Sequence, residues 1–161
     1  MDINTSNRKV VAPALAKSEE HDGAPAVAIE LPNGEIVTGR QTDLLSASAA
    51  CVFNAVKKLA DIPDDMKLIS PYVIGPILDL KNKVLHEKYN TLTLEEALIS
   101  LSICAATDVK AARAVDCLKK LYGCEAHSSR MLGKSDENPL RELGLNISCE
   151  PVFADNNLFS F

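Results

Sequence analysis

A short β-hairpin followed directly by a helix is the feature that most constrains the fold of this chain. Residues 26–39 read AVAIELPNGEIVTG, and Val27, Ile29 and Leu31 alternate along the first half of the segment. Asn33 and Gly34 supply the positive φ angles that a tight turn between antiparallel strands requires. The segment therefore predicts two paired strands that run straight into a helix rich in serine and alanine.

Capping signals divide much of the remaining chain into helices. Thr42 or Asp43 is predicted to cap a helix that continues to about Ala60. Ser70 followed by Pro71 predicts the start of a further helix, after a short buried strand at 67–70. The remaining predicted elements are a capping box at 93–96 that opens a helix to about residue 105, a helix capped by Asp108, a strand at 124–129, a helix at 136–143 and a strand at 145–149.

The order of these elements is typical of an α/β domain. Strands that alternate with helices predict a three-layer α/β/α architecture with a mixed sheet in the middle layer. A chain of 161 residues with 47% hydrophobic residues fits one core. We interpret residues 25–161 as a single domain and residues 1–24 as a linker or the end of a preceding helix.

The charge and residue composition exclude several functional classes. The net charge is −5, and no cluster of Lys and Arg exceeds a pair, which argues against nucleic acid as a partner. No apolar stretch approaches the roughly 18 residues of a membrane span, and the N-terminus lacks the apolar segment of a signal peptide. Five scattered cysteines do not indicate a disulfide framework. These observations predict a cytoplasmic protein without a membrane partner.

The end of the strand predicted at 124–129 carries side chains suited to an anionic ligand. His127, Ser128, Ser129 and Arg130 follow one another where open α/β sheets place ligand sites, and Arg130 can pair with a phosphate or carboxylate. The loop at 133–138 leads into a helix N-terminus that can also accept an anion. The competing interpretation is an ordinary strand-to-helix loop, capped by Ser135 or Asp136.

Metal binding and nucleophilic catalysis are two further hypotheses for the same strand. Cys124 and His127 have ligand-like spacing, but positions three apart on a strand point to opposite faces and no second pair completes a site. His127 could alternatively serve as base for a thiolate such as Cys149 on the last strand. The spacing does not require either arrangement, so the sequence predicts no metal and no cofactor.

Two segments resemble the cytidine-deaminase-like superfamily in their spacing. They are the hairpin and helix, with NGEIVTG at 33–39 and NAVK at 54–57, and the sequence ISP at 69–71. Those enzymes place Cys/His-Ala-Glu at the start of the helix and Pro-Cys-x-x-Cys after the strand, to hold zinc and to activate water. Here the first site reads Ser46-Ala47-Ser48 and the second reads PYVIG at 71–75. The resemblance implies a deaminase-like scaffold that lacks the zinc ligands and the general acid/base.

The same resemblance makes Ser46 and Ser48 candidates for ligand binding. They occupy the positions at which the deaminase scaffold binds its metal, and their hydroxyls could line a shallow polar pocket. The alternative is structural, because small residues in a Ser-Ala-Ser-Ala-Ala run let a helix approach its neighbour closely.

Six ordered segments carry a second and more extensive resemblance. They are AIELPNGEIVTG at 28–39, NAVKKLADIP at 54–63, LISP at 68–71, ALISLSICAAT at 97–107, GCEAHS at 123–128 and LGLNISCEP at 143–151. Together they resemble the C-terminal part of uncharacterised protein family 0371. Full members of that family are considerably longer and add an N-terminal nucleotide-binding-like α/β region. The resemblance implies a truncated or separately encoded C-terminal subdomain.

Two functional hypotheses follow from the sequence. The first is a non-catalytic subdomain that supports a ligand cleft for an anionic small molecule and associates with itself or with the N-terminal region of its family. The second is a small hydrolase or transferase that acts on a phosphorylated or nucleotide-like metabolite. In the second, His127 is the acid/base and Ser128 and Arg130 bind the anion.

Overall fold

The computed structural model describes residues 8–85 and 91–151, and it confirms the hairpin. Strand β1 (Ala26–Glu30) pairs antiparallel with β2 (Ile36–Arg40), with Ala28 opposite Thr38. In the turn, Gly34 has a φ of 90° and the Asn33 side chain accepts a hydrogen bond from the Glu35 N–H. The turn forms where the sequence predicts it, but of the two residues expected to supply positive φ angles only Gly34 has one, and Asn33 does not.

Two further strands give a mixed sheet of four strands within the described residues. Strand β3 (Glu125–Ser128) is antiparallel to β1, and β4 (Asn146–Cys149) is parallel to β3. The strand order is β2-β1-β3-β4, which makes β2 an edge strand in this sheet. The predicted mixed α/β class is confirmed.

Six α-helices accompany the sheet in the described part of the chain. They are α1 (Val11–Glu20), α2 (Ala47–Ala60), α3 (Pro71–Asp79), α4 (Leu94–Ala105), α5 (Val109–Cys117) and α6 (Lys134–Glu142). The capping box of Thr93 and Glu96 and the caps by Ser70 and Asp108 are confirmed. After α3 the chain continues as a single π-helical stretch, Leu80–Val84, and after α5 as a 3-10 turn, Leu118–Leu121.

Two local predictions were wrong. The segment 67–70 forms bends instead of a strand: Leu68 and Ile69 bury their side chains in the core without pairing with the sheet. Helix α2 begins at Ala47 with Ser46 as its cap, later than Thr42 or Asp43. The Thr42 hydroxyl instead accepts from the Leu44 and Leu45 N–H groups, so it closes a turn that precedes the helix.

Helices cover both faces of the sheet. Helix α1 packs on the face that carries Ala28, where Val10 and Ala14 form a small apolar cluster with it. The larger core lies on the other face, where Val27 and Ile29 contact the core built around α2, α4 and α5. The segment 11–20, read from the sequence as part of a linker or of a preceding helix, thus lies against the sheet.

A close approach between backbones positions α2 on the hairpin. A Cβ atom built at Gly39 in β2 would lie 2.3 Å from the backbone nitrogen of Cys51 in α2. Real Cβ contacts essentially never come that close, so only glycine permits this packing distance. The approach therefore fixes α2 closely against the edge strand β2.

Candidate functional site

Four of the six residues singled out from the sequence line one small cleft. Ser46 and Ser48 come from the start of α2, and Ser128 and Arg130 come from the end of β3 and the loop after it. The cleft has a volume of about 60 Å³. The tertiary structure therefore joins two candidate segments that lie about 80 residues apart in the chain.

Ser48 contributes a hydroxyl that is suited to a ligand. Its side chain is 1% exposed, and its Oγ has no hydrogen-bond partner among the residues that the structure describes. Buried hydroxyls are normally paired, because an unmade hydrogen bond costs about 1–3 kcal/mol. Ser48 lies in the first turn of α2, where backbone N–H groups also lack intrahelical partners and favour negative charge. The arrangement offers a hydroxyl and a helix N-terminus to the same small ligand.

Ser46 and Asp136 form the polar frame of the cleft. The Ser46 hydroxyl accepts from the Ala49 N–H at 3.2 Å and donates to Oδ1 of Asp136 at 2.9 Å. The same Asp136 oxygen accepts from the Leu94 N–H at 2.7 Å, so one carboxylate links the starts of α2 and α4. Burial raises the pKa of the Asp136 carboxyl, and the bonds from Leu94 and Ser46 oppose that rise. In the competing interpretation of this loop Ser135 or Asp136 caps α6, but Gly133 occupies that position.

Arg130 brings a guanidinium to the other side of the cleft. Its Nη2 donates to the carbonyl of Gly23 at 2.6 Å, which holds the side chain against the loop before β1. Its backbone N–H donates to the Ser128 hydroxyl at 3.2 Å, and that hydroxyl donates to the Arg130 carbonyl at 2.6 Å. Ser128 and Arg130 thus stabilise one another in the conformation that lines the cleft.

Ser129 serves the sheet instead of the cleft. Its hydroxyl accepts from the Ala26 N–H at 2.9 Å, and its own N–H donates to the Ala26 carbonyl at 2.8 Å. These two bonds extend the pairing of β1 and β3 by one residue. Ser129 is 6% exposed and does not line the cleft within the described residues.

His127 lies on the opposite face of the sheet from the cleft. Successive residues of a strand point to opposite faces, and Ser128 faces the cleft. The imidazole is fully buried, with Nδ1 2.7 Å from the Ser148 hydroxyl and Nε2 2.9 Å from a Glu150 carboxylate oxygen. Burial lowers the pKa of His127, while Glu150 opposes that shift. A neutral ring that donates from Nε2 and accepts at Nδ1 satisfies both partners.

Lys81 is a buried charge near the cleft that the sequence did not reveal. It lies in the π-helical stretch and is 3% exposed, and its Nζ donates to the Thr91 carbonyl and to Oε1 of Glu96, each at 2.7 Å. The charges of Lys81 and Glu96 both act on the pKa of Asp136. Lysine is rarely fully buried, so no local pattern in the sequence indicated the burial of Lys81.

The described part of the chain supports neither metal binding nor a nucleophilic pair of Cys149 and His127. Among residues 8–85 and 91–151, no three His, Cys, Asp or Glu side chains come close enough together to hold a metal ion. Cys149 is exposed at the end of β4, whereas the partners of His127 are Ser148 and Glu150.

Within residues 8–85 and 91–151, no helix is both long enough and apolar enough to cross a membrane.

Comparisons with known proteins place the chain in a family. A UPF0371 protein of Clostridium botulinum (strain Eklund 17B / Type B) is 41% identical over 166 residues, which cover 99% of this chain and 33% of that protein. A UPF0371 protein of Corynebacterium aurimucosum is 47% identical over 152 residues, which cover 94% of this chain and 30% of that protein. The chain thus spans about a third of the length of the curated relatives it matches. Residues 6–159 match the family described as domain of unknown function DUF1846, C-terminal, and the chain belongs to that family.

Proposed function

We propose that this domain is a non-catalytic ligand-binding subdomain whose cleft holds the anionic group of a small molecule. The observation that carries the proposal is the buried hydroxyl of Ser48 at the N-terminus of α2, which has no hydrogen-bond partner in the part of the chain that the structure describes and lies in a cleft that Arg130 also lines. A phosphate or carboxylate oxygen would accept from this hydroxyl, and the partial positive charge of the helix N-terminus would favour it. The ligand would thereby supply the hydrogen bond that Ser48 does not make to any described residue.

The geometry favours binding over hydrolysis or group transfer. In the catalytic alternative His127 must reach the ligand as acid or base, within about 3 Å or through one water. His127 instead contacts Ser148 and Glu150 on the far side of the sheet from Ser128. We therefore retain Ser128 and Arg130 as ligand-binding residues and assign His127 to the support of β4.

A deaminase-like topology remains part of the proposal. Its support is the entry of a hairpin into a helix whose first residues, Ser46 to Ser48, line the cleft. We further propose that the domain associates with itself or with the rest of a longer family protein, in the cytoplasm. Exposed aliphatic side chains at helical spacing support this association: Ile99 and Ile103 on α4, and Leu80 and Val84 after α3.

Ligand binding can be tested with inorganic phosphate and adenosine monophosphate as probes. We expect each probe to raise the melting temperature of the 161-residue chain to a saturating value. Ser48→Ala should weaken the binding about tenfold, because a hydrogen bond to a charged group is lost. Arg130→Gln should weaken it by a comparable factor.

Ser102→Ala provides the matched control, since Ser102 is exposed on α4. This variant should bind both probes as the parent chain does. The proposal fails if neither probe shifts the melting temperature of the parent chain, or if Ser48→Ala binds both as tightly as Ser102→Ala does.

A further inference from the structure

A second and larger pocket opens at the edge of the sheet, on the side of α2 away from the first cleft. Its volume is about 360 Å³, within the range of small-molecule sites, and it shares no lining residue with the cleft of Ser48. Its walls come from the end of β2, the turn before α2, one side of α2, and the bends at 67–69. The apolar residues that line it are Leu44, Leu45, Ala50, Phe53, Leu68, Ile69 and Ile74.

Positive charge surrounds this apolar pocket. Lys17, Arg40, Lys57 and Lys67 line it, and none of the described residues that line it is acidic. The whole chain has an excess of acidic residues, 22 against 17 basic ones, so the local balance is the reverse of the overall one. The four cations come from α1, β2, α2 and the 67–69 segment, and only the tertiary structure brings them together.

The four cations are not equivalent. Lys57 is buried, and its Nζ donates to the carbonyl of Asp64 at 3.0 Å, which directs the ammonium towards a neighbouring surface. Arg40 donates from Nη1 to the Gln41 carbonyl at 3.2 Å, a bond that leaves its other N–H groups able to meet a ligand. Lys67 is exposed at the rim. Arg40 and Lys67 are therefore the residues best placed to meet an incoming anion.

We propose that this pocket binds a small organic anion with an apolar body, such as a medium-chain carboxylate. The apolar walls would bury the body, and the rim of Arg40, Lys67 and Lys17 would receive the charged group. A neutral apolar molecule would leave the rim unused, and an inorganic anion would leave the walls unused. Charge complementarity thus selects an amphiphilic anion over both.

Octanoate and octanol form a matched pair of probes for this pocket. Both carry the same alkyl chain, and only octanoate carries a charge. We expect calorimetric titration of the 161-residue chain to show saturable binding of octanoate, with octanol at least about tenfold weaker because it lacks the charge-assisted contacts. Inorganic phosphate should not compete with octanoate, since it fits the separate cleft.

Three substitutions test whether octanoate binds in this pocket. Lys67→Gln changes an exposed side chain and should weaken octanoate about tenfold while leaving octanol unchanged. Leu44→Glu places a carboxylate on the wall at a position that is 41% exposed, and it should abolish octanoate binding by repulsion. Lys119→Gln, an exposed change of the same charge far from the lining residues, should leave both affinities unchanged.

Three results would overturn the inference. One is the absence of saturable octanoate binding to the parent chain. Another is octanol binding as tightly as octanoate, which would indicate an apolar groove that suits a hydrophobic protein segment instead. The third is an equal loss of octanoate affinity in Lys67→Gln and Lys119→Gln, which would indicate a general charge effect.

Discussion

Ser48 and Ser46 lie two residues apart in sequence but have opposite energetic roles. Ser46 caps α2 and donates to Asp136, whereas the Ser48 hydroxyl is buried without a partner among the described residues. Ser48→Ala should therefore leave the free energy of unfolding unchanged or raise it by up to about 1 kcal/mol, because it removes a buried hydroxyl that makes no hydrogen bond to the described residues. Ser46→Ala should lower that free energy by about 1–2 kcal/mol, because a cap is lost.

Urea denaturation of the two variants, without added ligand, measures both changes. A Ser48→Ala variant that is destabilised as strongly as Ser46→Ala would show that the Ser48 hydroxyl has a structural partner. In that case the support for the ligand cleft would be lost.

His127 should make the stability of the domain depend on pH. Because burial holds the pKa of the folded residue below its ordinary value of 6.5, the unfolded chain takes up the proton first as the pH falls. Its contribution to stability is therefore fully present above pH 6.5 and is lost as the pH falls below it towards the folded pKa. We expect the urea midpoint of the parent chain to fall between about pH 7.5 and pH 5.5.

In His127→Gln this fall should be smaller, whatever the absolute stability of the variant. His21→Gln is the matched control, since His21 follows α1 at partial exposure. It should retain the pH dependence of the parent chain. A His127→Gln variant with the full pH dependence would assign the effect to other titratable groups.

At the scale of elements, the contact between β2 and α2 depends on one glycine. A Cβ atom at Gly39 would meet the backbone of α2 at Ala50 and Cys51, and a helix backbone cannot move aside as a side chain can. Gly39→Ala should therefore lower the free energy of unfolding by about 3 kcal/mol or more, through overpacking.

Gly75→Ala is the contrasting substitution. Gly75 lies in α3, and no atom beyond its chain neighbours lies within 4 Å of an added Cβ. The gain in helix propensity from alanine is opposed by Pro76, which disfavours the helical conformation of a preceding residue with a Cβ, so the free energy of unfolding should change by less than about 1 kcal/mol. Thermal denaturation of Gly39→Ala and Gly75→Ala measures the change in stability that each substitution causes. Equal effects at the two positions would contradict the close packing of α2 on the hairpin.

At the scale of the whole molecule, exposed aliphatic residues should lead to self-association. Ile103 is 55% exposed on α4 and Ile99 is 56% exposed one turn before it. We expect sedimentation velocity to show a concentration-dependent increase in the average size of the parent chain. Ile103→Lys should shift the population towards the monomer, because it places a charge on the apolar face.

Asn138→Lys adds the same charge at an exposed position of α6 and should leave the association unchanged. A parent chain that remains monomeric at all concentrations would remove self-association from the proposed function. The ligand cleft would not be affected by that result.

Patterns in the sequence determined most elements of this protein, because their causes are local. The Asn33-Gly34 turn, the Thr93 capping box and the Ser70-Pro71 start all depend on contacts between residues within four positions of each other. The segment 67–70 had the apolar side chains of a strand, but pairing with a neighbouring strand is a tertiary event. Burial alone therefore did not make it a strand.

Only the tertiary structure decided which polar residues meet. Asp136 joins the starts of α2 and α4 across 90 and 42 residues of sequence, and Arg8 reaches Ser148 across 140. The separation of His127 from Ser128 follows from strand geometry, but the face that carries the cleft depends on where α2 packs. The sequence identified the serines and Arg130 as candidates by residue type. Their convergence depends on how α2 packs against the sheet, which no local pattern encodes, because it is set by contacts between segments that are distant in sequence.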